Sequence, residues 1–175
     1  MRFVMRLAIV ALLGPAALGL AACETPNTRE TASSAPPLWR VHTEHLVADR
    51  ALARACLNDR RATCEDVIQA PCRGAYSEEA QSPALDRQCD WRAIAAWEDE
   101  MNATFAALRS QLSGRDLANL ETSQRAWETS MLADVGLGMD RYQGGSLAGP
   151  GGAHIRARAT AERAEYLEEQ RRMTE

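Results

Sequence analysis

Apolar residues recur at three- and four-residue steps along most of the chain, and no stretch alternates between apolar and polar with period two. The clearest helix is predicted from about Pro83 to Ser113. Its apolar stripe consists of Trp91, Ile94, Met101, Phe105, Leu108 and Leu112. Such a stripe is typical of a helix that packs one face against a core. Ser82 supplies an N-cap before Pro83, and Gly114 is expected to end the helix.

The same periodicity predicts four more helices, over residues 42–58, 63–72, 116–134 and 154–172. In the third of these, Leu120, Trp127 and Met131 lie at compatible spacings. Only a short break separates it from the helix before it, so the two should lie antiparallel. The fold class that follows is all-α: a small helical bundle of about four to five helices.

One segment interrupts this pattern between the last two long helices. Residues 139–152, "MDRYQGGSLAGPGG", contain five glycines and one proline and are predicted not to be helical. Loops of this length are uncommon unless they are functional or disordered. The segment is the candidate binding element, and its site residues are Gly144, Gly145, Ser146, Leu147, Gly149, Gly151 and Gly152.

The N-terminus has the pattern of an export signal. Arg2 and Arg6 precede an apolar run from Leu7 to Leu20, which is shorter than the roughly 20 residues of a membrane-spanning helix. The run ends in "LAAC", which resembles the lipobox of bacterial lipoproteins and implies a lipid on Cys23.

Three regions are therefore predicted: a signal peptide (1–22), a lipidated flexible tether (23–37) and a helical domain (38–175). The tether is rich in Pro, Ser, Thr and Ala. The protein would then face the periplasm on a lipid anchor, and Glu24 favours the outer membrane over the inner one.

Lipidation of Cys23 leaves four thiols, Cys56, Cys64, Cys72 and Cys89, in a compartment where disulfides form. Two bridges are expected among them. Residues eight apart on one helix are about 12 Å apart, so the chain must turn between any bonded pair. We favour Cys72 with Cys89, or Cys64 with Cys89, across a helical hairpin. A metal site is the alternative, although the sequence lacks a C-x-x-C pair.

The net charge of the chain limits the classes of partner that it is expected to bind. Without the signal peptide, 18 basic residues stand against 24 acidic ones, for a formal charge of −6. This balance disfavours nucleic acid and permits a basic protein partner, toward which an acidic surface would steer association. No cofactor is indicated.

Nothing in the sequence indicates catalysis. No Gly-x-Ser-x-Gly turn occurs, and the chain has three histidines. His42 and His45 are one helical turn apart without an evident third metal ligand, and the neighbouring acids Glu98, Asp99 and Glu100 point in different directions on a helix. Both groups are interpreted as solvated faces.

Two stretches of the long helices carry a family resemblance. "WEDEMNATFAAL" (97–108) and "LETSQRAW" (120–127) resemble the LprI-like lysozyme-inhibitor family, and "GGS" (144–146) with "TAERAEYL" (160–167) extends the similarity. It covers about residues 56–167. The positions that match are Trp97, Asn102, Leu108, Leu120, Gln124, Trp127, Thr160 and Arg163. The resemblance implies a protein that binds and inhibits a lysozyme.

The chain also departs from the family pattern. Met131 and Leu132 occupy the positions of an expected Arg-Asp pair, and Val135 and Ile155 occupy those of a second cysteine pair. Two apolar side chains could pack where that bridge would lie. The resemblance therefore does not imply, for this chain, an activity that needs the Arg-Asp pair or a loop held by a second disulfide.

Each matching polar or aromatic residue also has a structural interpretation. Gln124 and Asn102 are expected to form a hydrogen-bonded core network, and Trp97 and Trp127 to pack in the core rather than to form a platform for sugar. The function predicted is protein binding by a periplasm-facing lipoprotein whose partner is a lysozyme or another basic envelope protein. The alternatives are a structural envelope lipoprotein that docks to a neighbouring protein, and a peptidoglycan-cleaving enzyme, for which no catalytic pair is recognisable.

Overall fold

A computed structural model describes residues 38–59, 64 and 66–175, with side chains from His45 onward. Five α-helices run through these residues: α1 (Leu38–Asn58), α2 (Gln69–Gly74), α3 (Pro83–Gln111), α4 (Gly114–Asp140) and α5 (Ala148–Met173). A short 3-10 helix, Glu78–Ala80, precedes α3. The described part of the chain contains no strand, which confirms the all-α prediction.

The predicted signal peptide and tether, with Cys23, lie outside the described residues. None of the helices that the structure describes has both the length and the apolar composition needed to cross a membrane.

The start of α3 is the one that its sequence predicts. Ser82 is extended, and its Oγ accepts a hydrogen bond of 3.2 Å from the backbone N–H of Leu85, with Pro83 at the first helical position. The end differs, because Leu112 and Ser113 are extended and Gly114 begins α4 instead of ending α3. Gly114 has φ +57°, a conformation that glycine adopts without strain.

The prediction that residues 139–152 are not helical is wrong at both ends. Helix α4 continues to Asp140, and α5 begins at Ala148. Pro150 is the third residue of α5, where its missing N–H removes no helical hydrogen bond. Gly152 is buried, and a Cβ there would lie 2.8 Å from Met139 Cγ, so packing of α5 onto α4 offsets the low helix propensity of glycine.

Helix α5 packs most extensively against α3 and also against α4, whereas α1 packs against α3. Small residues allow the approach of α3 and α5: Ala93 and Ala96 on the first, Ala153, Ala157 and Ala161 on the second, all buried. Around them lies one apolar core that includes Trp97, Leu108 and Leu167, each fully buried.

Contacts between α3 and α4 confirm the antiparallel prediction. Arg109 pairs with Glu121 at 3.3 Å, whereas Met101, earlier on α3, meets Gln124, later on α4. Along α3 and α5, later residues of one helix meet later residues of the other: Asp90 lies beside His154, and Gln111 beside Thr174 at the end of α5. Helices α3 and α5 are therefore parallel.

Glu98, Asp99 and Glu100 do not form a solvated face, so that interpretation is wrong. Glu100 is buried and accepts hydrogen bonds from Arg50 and Arg54 of α1, at 3.0–3.2 Å. Asp99 pairs with Arg50 at 3.4 Å, and Glu98 accepts a 3.1 Å hydrogen bond from Arg156 Nε of α5. Adjacent helical residues point in different directions, and here two neighbouring helices supply a partner on each side.

The four predicted cysteines form two disulfides, Cys56–Cys64 and Cys72–Cys89, with Cα–Cα distances of 5.7 and 5.6 Å. The second is one of the two bridges favoured from the sequence. The first joins the end of α1 to the segment that leads into α2. Because all four sulfurs are bonded, the alternative of a thiolate metal site does not apply.

Candidate functional site

The glycine-rich segment divides into a turn and the beginning of a helix. Gly144, Gly145, Ser146 and Leu147 are exposed and lie in the turn from 141 to 147 that joins α4 to α5. Gly149, Gly151 and Gly152, also predicted as loop residues of the binding site, lie instead in α5. The candidate binding element is therefore shorter than the sequence suggests and sits at the end of a helical hairpin.

Large apolar side chains are concentrated around this turn. Among the described residues, eleven large hydrophobic side chains are exposed, and five of them lie between 132 and 147. We call Leu137, Met139, Tyr142 and Leu147 the α4–α5 tip; Leu137 is 63% exposed, and Leu132, one and a half turns earlier on α4, is 60% exposed. A cluster of exposed large apolar residues marks an interaction site more often than a single one does.

Backbone and side-chain contacts hold the α4–α5 tip in place. Gly145 N–H donates to Tyr142 O at 2.8 Å, and Ala148 N–H donates to Gly145 O at 2.9 Å. The Tyr142 ring lies over Gly151, where a Cβ would come within 2.6 Å of Cε2. Gln143 and Gly144 have φ of +48° and +75° and make the reversal.

Val135 and Ile155, which occupy the positions where the resemblance predicts a second cysteine pair, also stabilise the hairpin. A Cβ at Gly138 of α4 would overlap Ile155 Cδ1 of α5, and one at Gly152 of α5 would lie 3.4 Å from Val135 Cγ1 of α4. Each residue thus packs against a glycine of the opposite helix. Apolar contact therefore joins the helices at the two positions where the resemblance predicts a bridge.

Most positions that match the family are structural. Trp97, Leu108, Leu120 and Thr160 are buried, in agreement with core packing for Trp97. Asn102 is exposed, so its predicted place in a buried network is wrong. His45 is exposed as predicted, and the side chain of His42 lies outside the described side chains.

Gln124, Trp127 and Arg163 come together between α4 and α5. Buried Arg163 donates from Nε to Gln124 Oε1 at 3.0 Å and from Nη2 to Ser123 Oγ at 3.1 Å. Its guanidinium lies 5.8 Å from the ring centre of Trp127 and 5.0 Å from that of Tyr166. Burial lowers the pKa of Arg163. The network predicted for Gln124 is confirmed, and it fixes the register of the two helices that carry the α4–α5 tip.

Leu147 is a predicted site residue, and Met139 and Tyr142 lie in the predicted segment, whereas Leu132 and Leu137 are not predicted although the sequence contains a signal for them. Leu132 and Leu137 lie off the stripe that Leu120, Trp127 and Met131 define. Apolar residues outside the buried stripe of a helix are candidates for an interaction surface.

A family model described as "Lysozyme inhibitor LprI" matches residues 72–167, more than half of the 175-residue chain. The match ends where the resemblance predicted and begins at Cys72 rather than near Cys56. It contains α3, α4 and most of α5, and therefore the α4–α5 tip and the Gln124–Arg163 network. No curated protein and no solved structure matches the chain. The chain belongs to the LprI lysozyme-inhibitor family.

Proposed function

We propose that this protein is a lipoprotein of the cell envelope, anchored through Cys23 and facing the periplasm, that inhibits a lysozyme by binding to it. The observation that carries the proposal is the α4–α5 tip, which lies within the range that matches the family. Inhibition requires binding and no chemistry by the inhibitor, so the protein would not be an enzyme.

The tip has the shape and composition that suit an enzyme cleft. Enzymes bind polymeric substrates in concave sites, and the end of a two-helix hairpin is a narrow convex element. Leu137 and Tyr142 are exposed there and would lose water on binding, and a central aromatic or aliphatic anchor supplies much of the free energy of a protein interface. Because the turn is held by its own hydrogen bonds, little conformational entropy would be lost when it binds.

Net charge supports the choice of partner. The chain from Cys23 onward carries a formal charge of −6, with 18 basic against 24 acidic residues. Attraction toward a basic enzyme would increase the association rate and would weaken as ionic strength rises.

The direct test is a cell-wall lysis assay with purified lysozyme and increasing protein. The double variant Leu137→Ser/Leu147→Ser removes two exposed side chains of the tip and leaves the Tyr142 ring on Gly151, so the folded state should be retained. Loss of two interface anchors should raise the concentration for half-inhibition at least about tenfold. Val47→Ser is the matched control, because Val47 is 83% exposed on α1, outside the range that matches the family.

Equal inhibition by the wild type and the double variant would refute the role of the tip. No inhibition by the wild type at a large molar excess would refute the proposed function. It would favour the alternative of an envelope lipoprotein that docks to a different neighbouring protein.

A further inference from the structure

A pocket of about 240 Å³ opens between α5 and the segment that leads into α2. Its lining includes none of the four residues of the α4–α5 tip. The volume is several times that of a water molecule. Its lining includes Gln69, Trp97, His154, Ala157, Ala161 and Glu165.

Gln69, which lines the pocket, has a buried acceptor without a partner, and so does Asp90, which is not one of the lining residues. Gln69 is 4% exposed, and its Oε1 accepts no hydrogen bond. Asp90 is 2% exposed, and its Oδ1 also accepts none, with His154 Nδ1 at 3.7 Å. Burial raises the pKa of Asp90, and His154 and Gln69 oppose this rise. Buried acceptors without donors are costly, and they are rare in native proteins.

The acids around the pocket differ in their pairing. Asp66 pairs with Arg73 at 3.3 Å, and Glu162 pairs with Arg158 at 3.6 Å. Glu165 has no ion pair within the part of the chain that the structure describes. Burial raises its pKa, which a hydrogen bond from the Cys64 backbone opposes. Glu165 is therefore the carboxylate best placed to attract an additional cation.

The geometry points to a binding site for an organic cation, an ammonium or guanidinium group on an aliphatic stem. The N–H donors of such a group match the acceptors of Gln69 and Glu165, and its charge is opposite to that of Glu165. Ala157, Ala161 and Trp97 line the pocket and give it an apolar wall for the stem.

Two sources could present this chemistry: a free amine, or an arginine or lysine side chain of a bound protein. The second source rests on the proposed function, since a basic lysozyme would supply the side chain. The first does not depend on it.

The test is an NMR titration of the purified protein with butylguanidinium and with butylurea, its neutral analogue. Butylguanidinium should shift the amide resonances of Gln69, Ala157 and Glu165, and butylurea should bind at least about tenfold more weakly. Glu165→Gln, which removes the charge, and Gln69→Met, which removes the acceptor, should each weaken binding about fivefold to tenfold. Glu169→Gln on the exposed side of α5 is the matched control and should bind as the wild type does.

Equal binding of the two compounds, unchanged binding by Glu165→Gln, or no shift of the pocket resonances would each overturn the proposal. Competition then identifies the source of the cation. If butylguanidinium displaces lysozyme, the pocket binds an arginine or lysine side chain of the partner. If butylguanidinium binds without displacing lysozyme, the natural ligand of the pocket is a free amine. Because the titration contains no lysozyme, its result is independent of whether the protein inhibits one.

Discussion

Removal of either disulfide should destabilise the domain by an amount that depends on the loop it closes. The variants are Cys56→Ala/Cys64→Ala and Cys72→Ala/Cys89→Ala. Both bridges are buried, so each variant also loses two buried sulfur atoms, and that cost is similar in the two cases. The difference between them should therefore come mainly from the unfolded chain.

The sequence separations are 8 residues for Cys56–Cys64 and 17 for Cys72–Cys89. In the chain-entropy model, loops of these lengths contribute about 2.5 and about 3.1 kcal/mol to the free energy of unfolding at 25 °C. The Cys72–Cys89 variant should thus be the less stable of the two by about 0.6 kcal/mol.

Urea denaturation followed by far-ultraviolet circular dichroism measures both values. The wild type with and without reductant provides the control, since reduction should lower its midpoint below that of either variant. A wild-type midpoint that does not change on reduction would refute the stabilisation by the bridges. Alkylation of all four thiols in non-reduced, denatured protein would refute the bridges themselves.

Other predictions concern buried charge and the anchor. Asp49→Ala should lower the free energy of unfolding by about 3 kcal/mol, because it removes hydrogen bonds of 2.7 and 2.9 Å and leaves the largely buried charge of Arg92 without this partner. Urea denaturation measures this loss, and Asp49→Leu/Arg92→Met should restore part of it. Since burial raises the pKa of Asp90, stability should fall as pH rises above the ordinary value of 3.8, and Asp90→Asn should remove that fall in urea titrations across pH. The pKa of Glu168 is shifted in the opposite direction, because a hydrogen bond from Arg171 lowers it. Glu168→Gln should therefore destabilise the fold at neutral pH, and the difference in stability between this variant and the wild type should vanish as pH falls through the folded-state pKa of Glu168. Mass spectrometry of the membrane fraction should find an acylated N-terminus at Cys23, and Cys23→Ser should release or misprocess the protein; an unmodified, soluble chain beginning at Met1 would contradict the anchor.

The sequence predicts a helix end correctly where a single residue, such as an N-cap, determines it. Ser82 and Pro83 define the start of α3 because an N-cap acts within one turn. The sequence does not predict that the glycines from 149 to 152 are helical, because their low helix propensity is a local property. The contact that stabilises Gly152 in the helix comes from Met139 on a different helix. Intrinsic propensity gives way to tertiary packing at such positions.

The candidate site was predictable in part for the same reason. Gln124 is polar on an inward helical face, which indicates a buried partner, but that partner, Arg163, lies on the next helix. The ion pairs of Glu100 could not be foreseen, because its neighbours in sequence do not show which helix lies opposite. Gln69 and Glu165 likewise belong to α2 and α5, and only the fold brings them to one pocket.

The most direct test of the central claim is a calorimetric titration of lysozyme into the purified protein at low salt. The account predicts measurable heat, an affinity that weakens as salt is added, and weaker binding by Leu137→Ser/Leu147→Ser than by Val47→Ser. The absence of heat at a large molar excess, together with uninhibited cell-wall lysis, would contradict it.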